Sequence, residues 1–178
     1  MKANPGKLFY GSGGVGTNTH LAFELLKSQT GLDVGHVPYR GAGAAVKDVI
    51  AGHVQALISA VPTVLEFTRS GQLRPLMLTA LARSNVLPDV PRAKDVGLPQ
   101  MDVSFWVGFA AAAETPAPLV ARLHDEILGC VKAPEVSKKF TELGFDAVGN
   151  SSAAAGELVR REIDRWAAII KSANIQAN

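Results

Sequence analysis

Leu8-Phe9-Tyr10-Gly11-Ser12-Gly13-Gly14-Val15-Gly16-Thr17-Asn18-Thr19-His20-Leu21 joins a short apolar run to an amphipathic one through four glycines and little else. Glycine has no Cβ, so such a loop reaches positive φ and lets a ligand come close to the backbone. A helix beginning at about Thr17 leaves its first N–H groups unpaired, with the positive end of its macrodipole facing the loop. That arrangement is an anion site by construction. Thr17 or Ser12 can supply a hydroxyl donor or cap. The plain alternative is a glycine-rich strand-to-helix connection that binds nothing, because short glycine patterns often match by chance.

Outward from this turn the same unit recurs. Residues 8–10 read as strand and 17–30 as helix, where Leu21, Phe23, Leu25 and Leu26 mix with Glu24 and Lys27 ahead of Gly31 as the stop. Residues 33–39 carry Val34 and Val37 ahead of Pro38, a second strand. The turn Tyr39-Arg40-Gly41-Ala42-Gly43 then feeds a helix over 44–51, with Val46, Val49 and Ile50 on one face and Gly52 at its end. Residues 54–59 make a third strand, whose continuous apolar run predicts burial on both faces. Pro62 opens a helix through Ser70, Gly71 stops it, and residues 74–80 read as a fourth strand. Strand, turn and helix in repeated order favour right-handed parallel crossovers, hence an α/β fold.

The rhythm then changes. Leu87-Pro88-Asp89-Val90-Pro91 and Gly97-Leu98-Pro99 bracket a short helix at 91–96, and the apolar, aromatic residues 102–112 read as a crossing strand. After Thr115-Pro116 come helices at 117–132, 134–143 and 151–172, interrupted by a short strand at 145–148. The last helix carries Leu158, Ile163, Trp166, Ile169 and Ile170 as one apolar stripe, with Arg160, Arg161, Glu162, Asp164 and Arg165 turned outward. This predicts a packed helix with a solvated face. Helices without a sheet to cover imply that part of a second lobe is missing from this chain.

Composition narrows the function classes. At 178 residues the chain is one domain or two small lobes, long enough to bury roughly two thirds of its unfolded surface. Its 18 basic and 16 acidic side chains leave a net charge of +2, and no basic block interleaves with aromatics, so no nucleic-acid partner is expected. Cys130 is the only cysteine, which excludes an internal disulfide and a cysteine metal cluster, and its apolar helical phase predicts a small core residue. The longest nearly apolar run, 103–113, is too short for a bilayer crossing of about 20 residues. Met1-Lys2-Ala3-Asn4-Pro5-Gly6 lacks a signal peptide's apolar segment, as in a cytoplasmic chain or in mature or truncated material.

Gly11, Gly13 and Gly16 satisfy the dinucleotide pattern G-x-G-x-x-G between a strand and a helix. The acidic residue that would hold a ribose is replaced by Tyr39-Arg40, so the form of this reading that survives is an NADP-dependent oxidoreductase, with the arginine on a 2′-phosphate. His20, His36, His53 and His124 show no paired metal spacing. His20, one turn beyond Thr17, is either a ligand donor or a satisfied structural histidine. Ser12 has the wrong spacing for a nucleophile elbow, and no serine, histidine and acid triad can be assembled. The second turn repeats the design of the first. Two parallel strands would set both helix N-termini on one sheet edge, where two positive ends and the Arg40 guanidinium favour a small carboxylate. Alternatively, Arg40 pairs with Asp48 or Glu24 on the surface.

Several ordered motifs together resemble the Bug family, the substrate-binding proteins of tripartite tricarboxylate transporters. They are Asn4-Pro5-Gly6-Lys7-Leu8, Gly11-Ser12-Gly13-Gly14-Val15-Gly16-Thr17 with His20-Leu21-Ala22, Val37-Pro38-Tyr39-Arg40-Gly41-Ala42-Gly43, Leu87-Pro88-Asp89-Val90-Pro91 with Gly97-Leu98-Pro99, and Thr115-Pro116-Ala117-Pro118. The resemblance runs on to Trp166 and Ser172-Ala173-Asn174-Ile175. It implies a periplasmic, type II solute-binding fold of two α/β lobes with a carboxylate between them, no cofactor and no catalysis. Residues 5–105 would be the second lobe, and residues 106–178 the crossing strand and helical part of an incomplete first lobe. The backbone of Ser12, Gly13, Gly14, Gly16 and Thr17 would grip one carboxylate, with Tyr39, Arg40, Gly41, Gly43 and Ser59 lining the cleft. The ligand would pass to membrane permease subunits.

The sequence departs from the family pattern in length, lacking the first βαβ units and the loop that holds the ligand from the other side. Ala44 stands where proline is usual, Gln55 where aspartate is common, and Ala112-Ala113-Glu114 where Pro-Ala-Gly is usual. If a full cleft gives a micromolar complex, about −8 kcal/mol, one lobe supplying half of it holds its ligand at around millimolar. Uncovered sheet edge and helix faces further predict a homo-oligomer.

Overall fold

Among residues 5–176, which the computed structural model describes, three short parallel strands form one sheet in the order β2-β1-β3. They are β1 (Phe9–Ser12), β2 (Gly35–Pro38) and β3 (Ala56–Leu57). The segment Met1-Lys2-Ala3-Asn4 and the last two residues of the 106–178 range lie outside the described residues. The register sets Phe9 beside Gly35 and Ser12 beside Pro38 on one flank, and Tyr10 beside Ala56 on the other. Helices α1 (Asn18–Thr30), α2 (Ala42–Ile50) and α3 (Val61–Arg69) follow the three strands in turn.

The strand order dictates where the helices go. β1 to β2 runs one way across the sheet and β2 to β3 runs back, so right-handed crossovers put α1 and α2 on opposite faces. Alternation along β1 agrees. Tyr10 stacks on Phe23 of α1, whereas a Cβ on Gly11 would meet Ala45 of α2, the Tyr39 ring and Val54. Gly31 stops α1 in the left-handed conformation at φ 66°, its N–H bonding Lys27 O at 2.8 Å.

Two apolar clusters hold α1 in place. Tyr10, Phe23 and Val34 form one, while Leu21, Ala22 and Leu25 pack with Ala93, Met101, Val103 and Trp166 in the other. Trp166 belongs to the last helix, α6 (Ser152–Ser172), which therefore docks on α1. Before it come α4 (Ala117–Lys132) and α5 (Pro134–Leu143), with the bounds the sequence predicts. No described helix is long and apolar enough to cross a membrane.

Several expectations are corrected. Residues 74–80 make no fourth strand, only a single parallel bridge between Leu78 and Arg92, since Pro75 and Pro91 each withhold a ladder donor. β3 is short and half-buried, not covered on both faces. The run 102–112 joins no strand ladder among the described residues. Val103 N–H reaches Thr79 O at 3.0 Å, and beyond it Val107 and Phe109 are 85% and 79% exposed. Residues 145–148 likewise lack a partner strand, and Phe145 N–H instead closes α5 on Phe140 O. Along the predicted stripe of α6, Trp166 is buried and Ile169 packs against the core, but Ile163 is 62% exposed. Cys130 is exposed, since among the described residues nothing buries any side chain of α4.

Candidate functional site

Parallel strands end at the same edge, and two backbone hydrogen bonds stitch the following turns side by side. Tyr39 N–H donates to Ser12 O at 3.0 Å and Gly41 N–H to Gly13 O at 3.1 Å. The fit is close enough that a Cβ on Gly13 would stand 3.2 Å from the Ala42 nitrogen. The N-termini of α1 and α2 therefore open on one edge, as the sequence predicts. β3 delivers Ser59 and the start of α3 to the same edge. Since α1 leaves toward one face while α3 packs beside α2 on the other, the helices diverge between β1 and β3. A divergence at the carboxyl ends of parallel strands is where open α/β sheets bind ligands.

The loop amides are not all available. Gly13 N–H donates to Thr19 Oγ1 at 2.8 Å, Gly14 N–H to Ser12 Oγ at 3.1 Å, Gly16 N–H to His20 Nδ1 at 3.1 Å and Thr17 N–H to Gly14 O at 3.3 Å. Among the described residues, the amides of Val15, Asn18, Thr19 and His20 have no protein acceptor, nor do those of Ala42 and Gly43 in the first turn of α2. Within Ser12 through Thr17, the amides of Gly13, Gly14, Gly16 and Thr17 are thus engaged inside the loop, while that of Val15 is open. Glycines 13, 14 and 16 shape the loop, and the open donors are Val15 and the first turns of the two helices.

Under the loop lies a column of rings. Phe23 stacks on Tyr10 with centroids 3.8 Å apart, Tyr10 lies 4.8 Å from His36, and His36 stacks on His20 at 3.9 Å. His36 Nε2 is 2.6 Å from Ser12 Oγ. Burial lowers the pKa of both histidines, and that of His36 falls to about 4 with its neighbour His20 adding to the effect. Burial raises the Tyr10 phenol, as does its 2.7 Å hydrogen bond to Glu24. Burial also pushes Glu24 up, but hydrogen bonds from Lys27 and Tyr10 outweigh it and leave the carboxyl lowered.

The other predicted residues separate into groups. Ser12 is buried and its hydroxyl is engaged within the loop. Thr17 is the N-cap of α1 by its extended backbone, but its hydroxyl donates to Gly14 O at 2.7 Å and does not cap the helix. Tyr39 turns away from the edge. Its ring lies against Gly11 and its hydroxyl donates to Asp48 Oδ2 at 2.7 Å, a bond that raises the phenol to about 12 and lowers Asp48. Arg40 is exposed and pairs with neither Asp48 nor Glu24, so the surface ion pair does not form. Gly41 is the N-cap of α2 at φ 104°, and Gly43 faces open space. The Ser59 hydroxyl is buried at the end of β3 without a partner among the described residues. Sequence reasoning missed Thr19 and His36 as supports of the loop. The one available signal was His20 lying one helical turn beyond Gly16.

Residues 1–175 match the family described as tripartite tricarboxylate transporter family receptor. The chain belongs to that family. It is 36% identical over 178 residues to a UPF0065 protein in the tcbD-tcbE intergenic region of Pseudomonas sp. strain P51, spanning 99% of this chain and 53% of that protein. Identity to BugT of Bordetella pertussis is 32%, over 96% of this chain and 52% of BugT. The chain thus spans about half the length of these two relatives. A UPF0065 protein in the clcB-clcD intergenic region of Pseudomonas knackmussii is 35% identical over 93% of this chain and 98% of that protein.

Three solved structures carry the same fold. A periplasmic transporter superposes with a TM-score of 0.91 at 33% identity, covering 99% of this chain and 59% of that one. An R. palustris protein with adipate also gives 0.91, at 29% identity over 98% and 58%. MatC from Rhodopseudomonas palustris with bound malate gives 0.86, at 27% identity over 93% and 57%. The fold is that of a periplasmic binding protein, as the resemblance implies. Neither the pinned loop nor the relatives support the oxidoreductase alternative.

Proposed function

We propose that this chain supplies the ligand-gripping lobe of an extracytoplasmic solute-binding receptor, which holds a carboxylate of a small acid at the sheet edge and passes it to membrane subunits without chemistry. The observation that carries this reading is the pair of helix N-termini laid side by side, with unpartnered amides at Val15, Asn18 and Thr19 on one and at Ala42 and Gly43 on the other. Two such ends attract an anion through their donors and their aligned dipoles. Arg40 adds a full charge beside them, and the buried Ser59 hydroxyl is a further donor at the divergence. Glycines 13, 14, 16 and 41 hold the turns in shape, while Ser12 and Thr17 brace them from within.

Family membership and neighbours holding adipate and malate support a small carboxylate and a periplasmic location. In this reading residues 5–105 form the gripping lobe and 106–178 contribute to the other. One lobe holds its acid at around millimolar. The exposed apolar residues Trp106, Val107 and Phe109 are covered by self-association.

The test is a 15N NMR titration of the chain at pH 7 with malate, adipate and NADP. Saturable shifts at Val15, Asn18, Thr19, Ala42 and Gly43 with either acid, weakened in Arg40→Ala, are the expected result. Shifts at the loop with NADP alone, or none with either acid at tens of millimolar, overturn it.

A further inference from the structure

The loop's open donor, Val15 N–H, lies between two amides that side chains hold. Gly14 N–H is taken by Ser12 Oγ, which in turn lies 2.6 Å from His36 Nε2, and Gly16 N–H is taken by His20 Nδ1. The two imidazoles are stacked at 3.9 Å with their planes 8° apart, and His20 is only 5% exposed. We propose that the stacked His20–His36 pair is the positioning device of the anion loop, keeping it in its gripping shape while both rings are neutral and releasing it when one takes a proton.

The chemistry of the contacts requires this. Nδ1 of His20 accepts a hydrogen bond from Gly16, so the neutral ring carries its proton on Nε2, and a second proton can only enter at Nδ1. That proton and the Gly16 N–H then face each other, donor against donor, and the bond is lost. A proton on His36 instead places a charge against the His20 ring. The groups acting on the pair are few. α1 contributes Glu24 and Lys27, β1 contributes Tyr10, and each ring is the other's neighbour across β2 and α1. Glu24 favours protonation, but it is tied to Lys27 at 2.8 Å and to the Tyr10 hydroxyl at 2.7 Å. Packing on α1 from α6 comes through Trp166 and Ile169, which are uncharged. Burial lowers both imidazoles, so the loop stays pinned at neutral pH.

The inference rests on the carboxylate reading only for its purpose, and its test needs no ligand. Amide hydrogen exchange at Gly14 and Gly16 in the intact chain, corrected for intrinsic rates, is followed from pH 7.5 to 4 alongside the His20 and His36 ring resonances. Protection at Gly16 is expected to fall at least tenfold along the imidazole titration. His20→Asn, which keeps an acceptor oxygen near the Nδ1 position and cannot titrate, is expected to keep Gly16 protected throughout. Unchanged Gly16 protection in the wild-type chain while the rings protonate overturns the proposal, as does the same pH response in His20→Asn. A second arm repeats the malate and adipate titrations at pH 7.5 and 5. Loop release with no shift from either acid at either pH upholds the histidine device and overturns the carboxylate reading instead.

Discussion

Gly13 and Gly43 look alike in the sequence, yet alanine at the two positions should move stability in opposite directions. At Gly13 the added methyl would stand 3.2 Å from the Ala42 nitrogen, 3.5 Å from Thr19 Oγ1 and 3.6 Å from the Gly41 carbonyl carbon. Two of these atoms are backbone at the start of α2, so relief means moving that helix from the β1 turn. Such overpacking costs about 1–3 kcal/mol. The Gly41 N–H bond to Gly13 O and the Gly13 N–H bond to Thr19 Oγ1 are strained by the same shift. Alanine recovers about 0.4–1 kcal/mol from the stiffer unfolded chain, leaving Gly13→Ala destabilised by about 1 kcal/mol. At Gly43 nothing lies within 4 Å, and the residue sits in the first turn of α2. There the helical propensity and entropy gains stand alone, and Gly43→Ala is stabilised by about 0.5–1 kcal/mol. Thermal melts followed by circular dichroism should show Gly13→Ala lower by about 2–4 °C and Gly43→Ala higher by about 1–4 °C. A neutral Gly13→Ala would refute the abutment of the two turns.

Acid should unfold the chain in a window set by histidine. His36 falls from 6.5 to about 4 in the folded state, so the unfolded chain binds more protons between those values and stability drops as pH falls through them. From pH 7 to 5 this is about 2 kcal/mol before solvent screening and about 1 after it, read from urea midpoints, and His36→Asn should flatten the slope. His124, raised by its contacts with Asn150 O and Asp125, runs the other way, favouring the fold below its ordinary pKa. The lowered carboxylates Asp48 and Asp95 act below this window, and Glu24 acts from its lower edge downward. An unchanged midpoint would remove the argument. Light scattering of the intact chain should give a species larger than a monomer, and Phe109→Ser should shift it toward monomer; a monomeric wild type would count against self-association.

Helices were legible in the sequence wherever a stop residue and a periodic face coincide. α4 and α5 fall at their predicted bounds because Pro116, Pro134 and Gly144 punctuate them. Strands were less legible, since a strand exists by its neighbour. Residues 74–80, 102–112 and 145–148 have strand composition, but among the described residues none has a ladder partner. At the site, adjacent helix N-termini followed from parallel strands joined by glycine turns. Which amides remain free did not. That depended on Thr19, Ser12 and His20 reaching back into the loop, and on the register that sets His36 beside Tyr10. The direction of Tyr39 was equally hidden, because its choice of Asp48 over the edge is a matter of which sheet face α2 covers.

The bare run beyond Val103 has one more consequence. It holds no charged residue between Asp102 and Glu114, so those two carboxylates are its gatekeepers. Copies stacking in register, as in a fibril, would lay Asp102 over Asp102 and Glu114 over Glu114 at every added layer. A closed pair of chains meets that repulsion once, which steers the stretch toward finite assembly and away from open-ended growth.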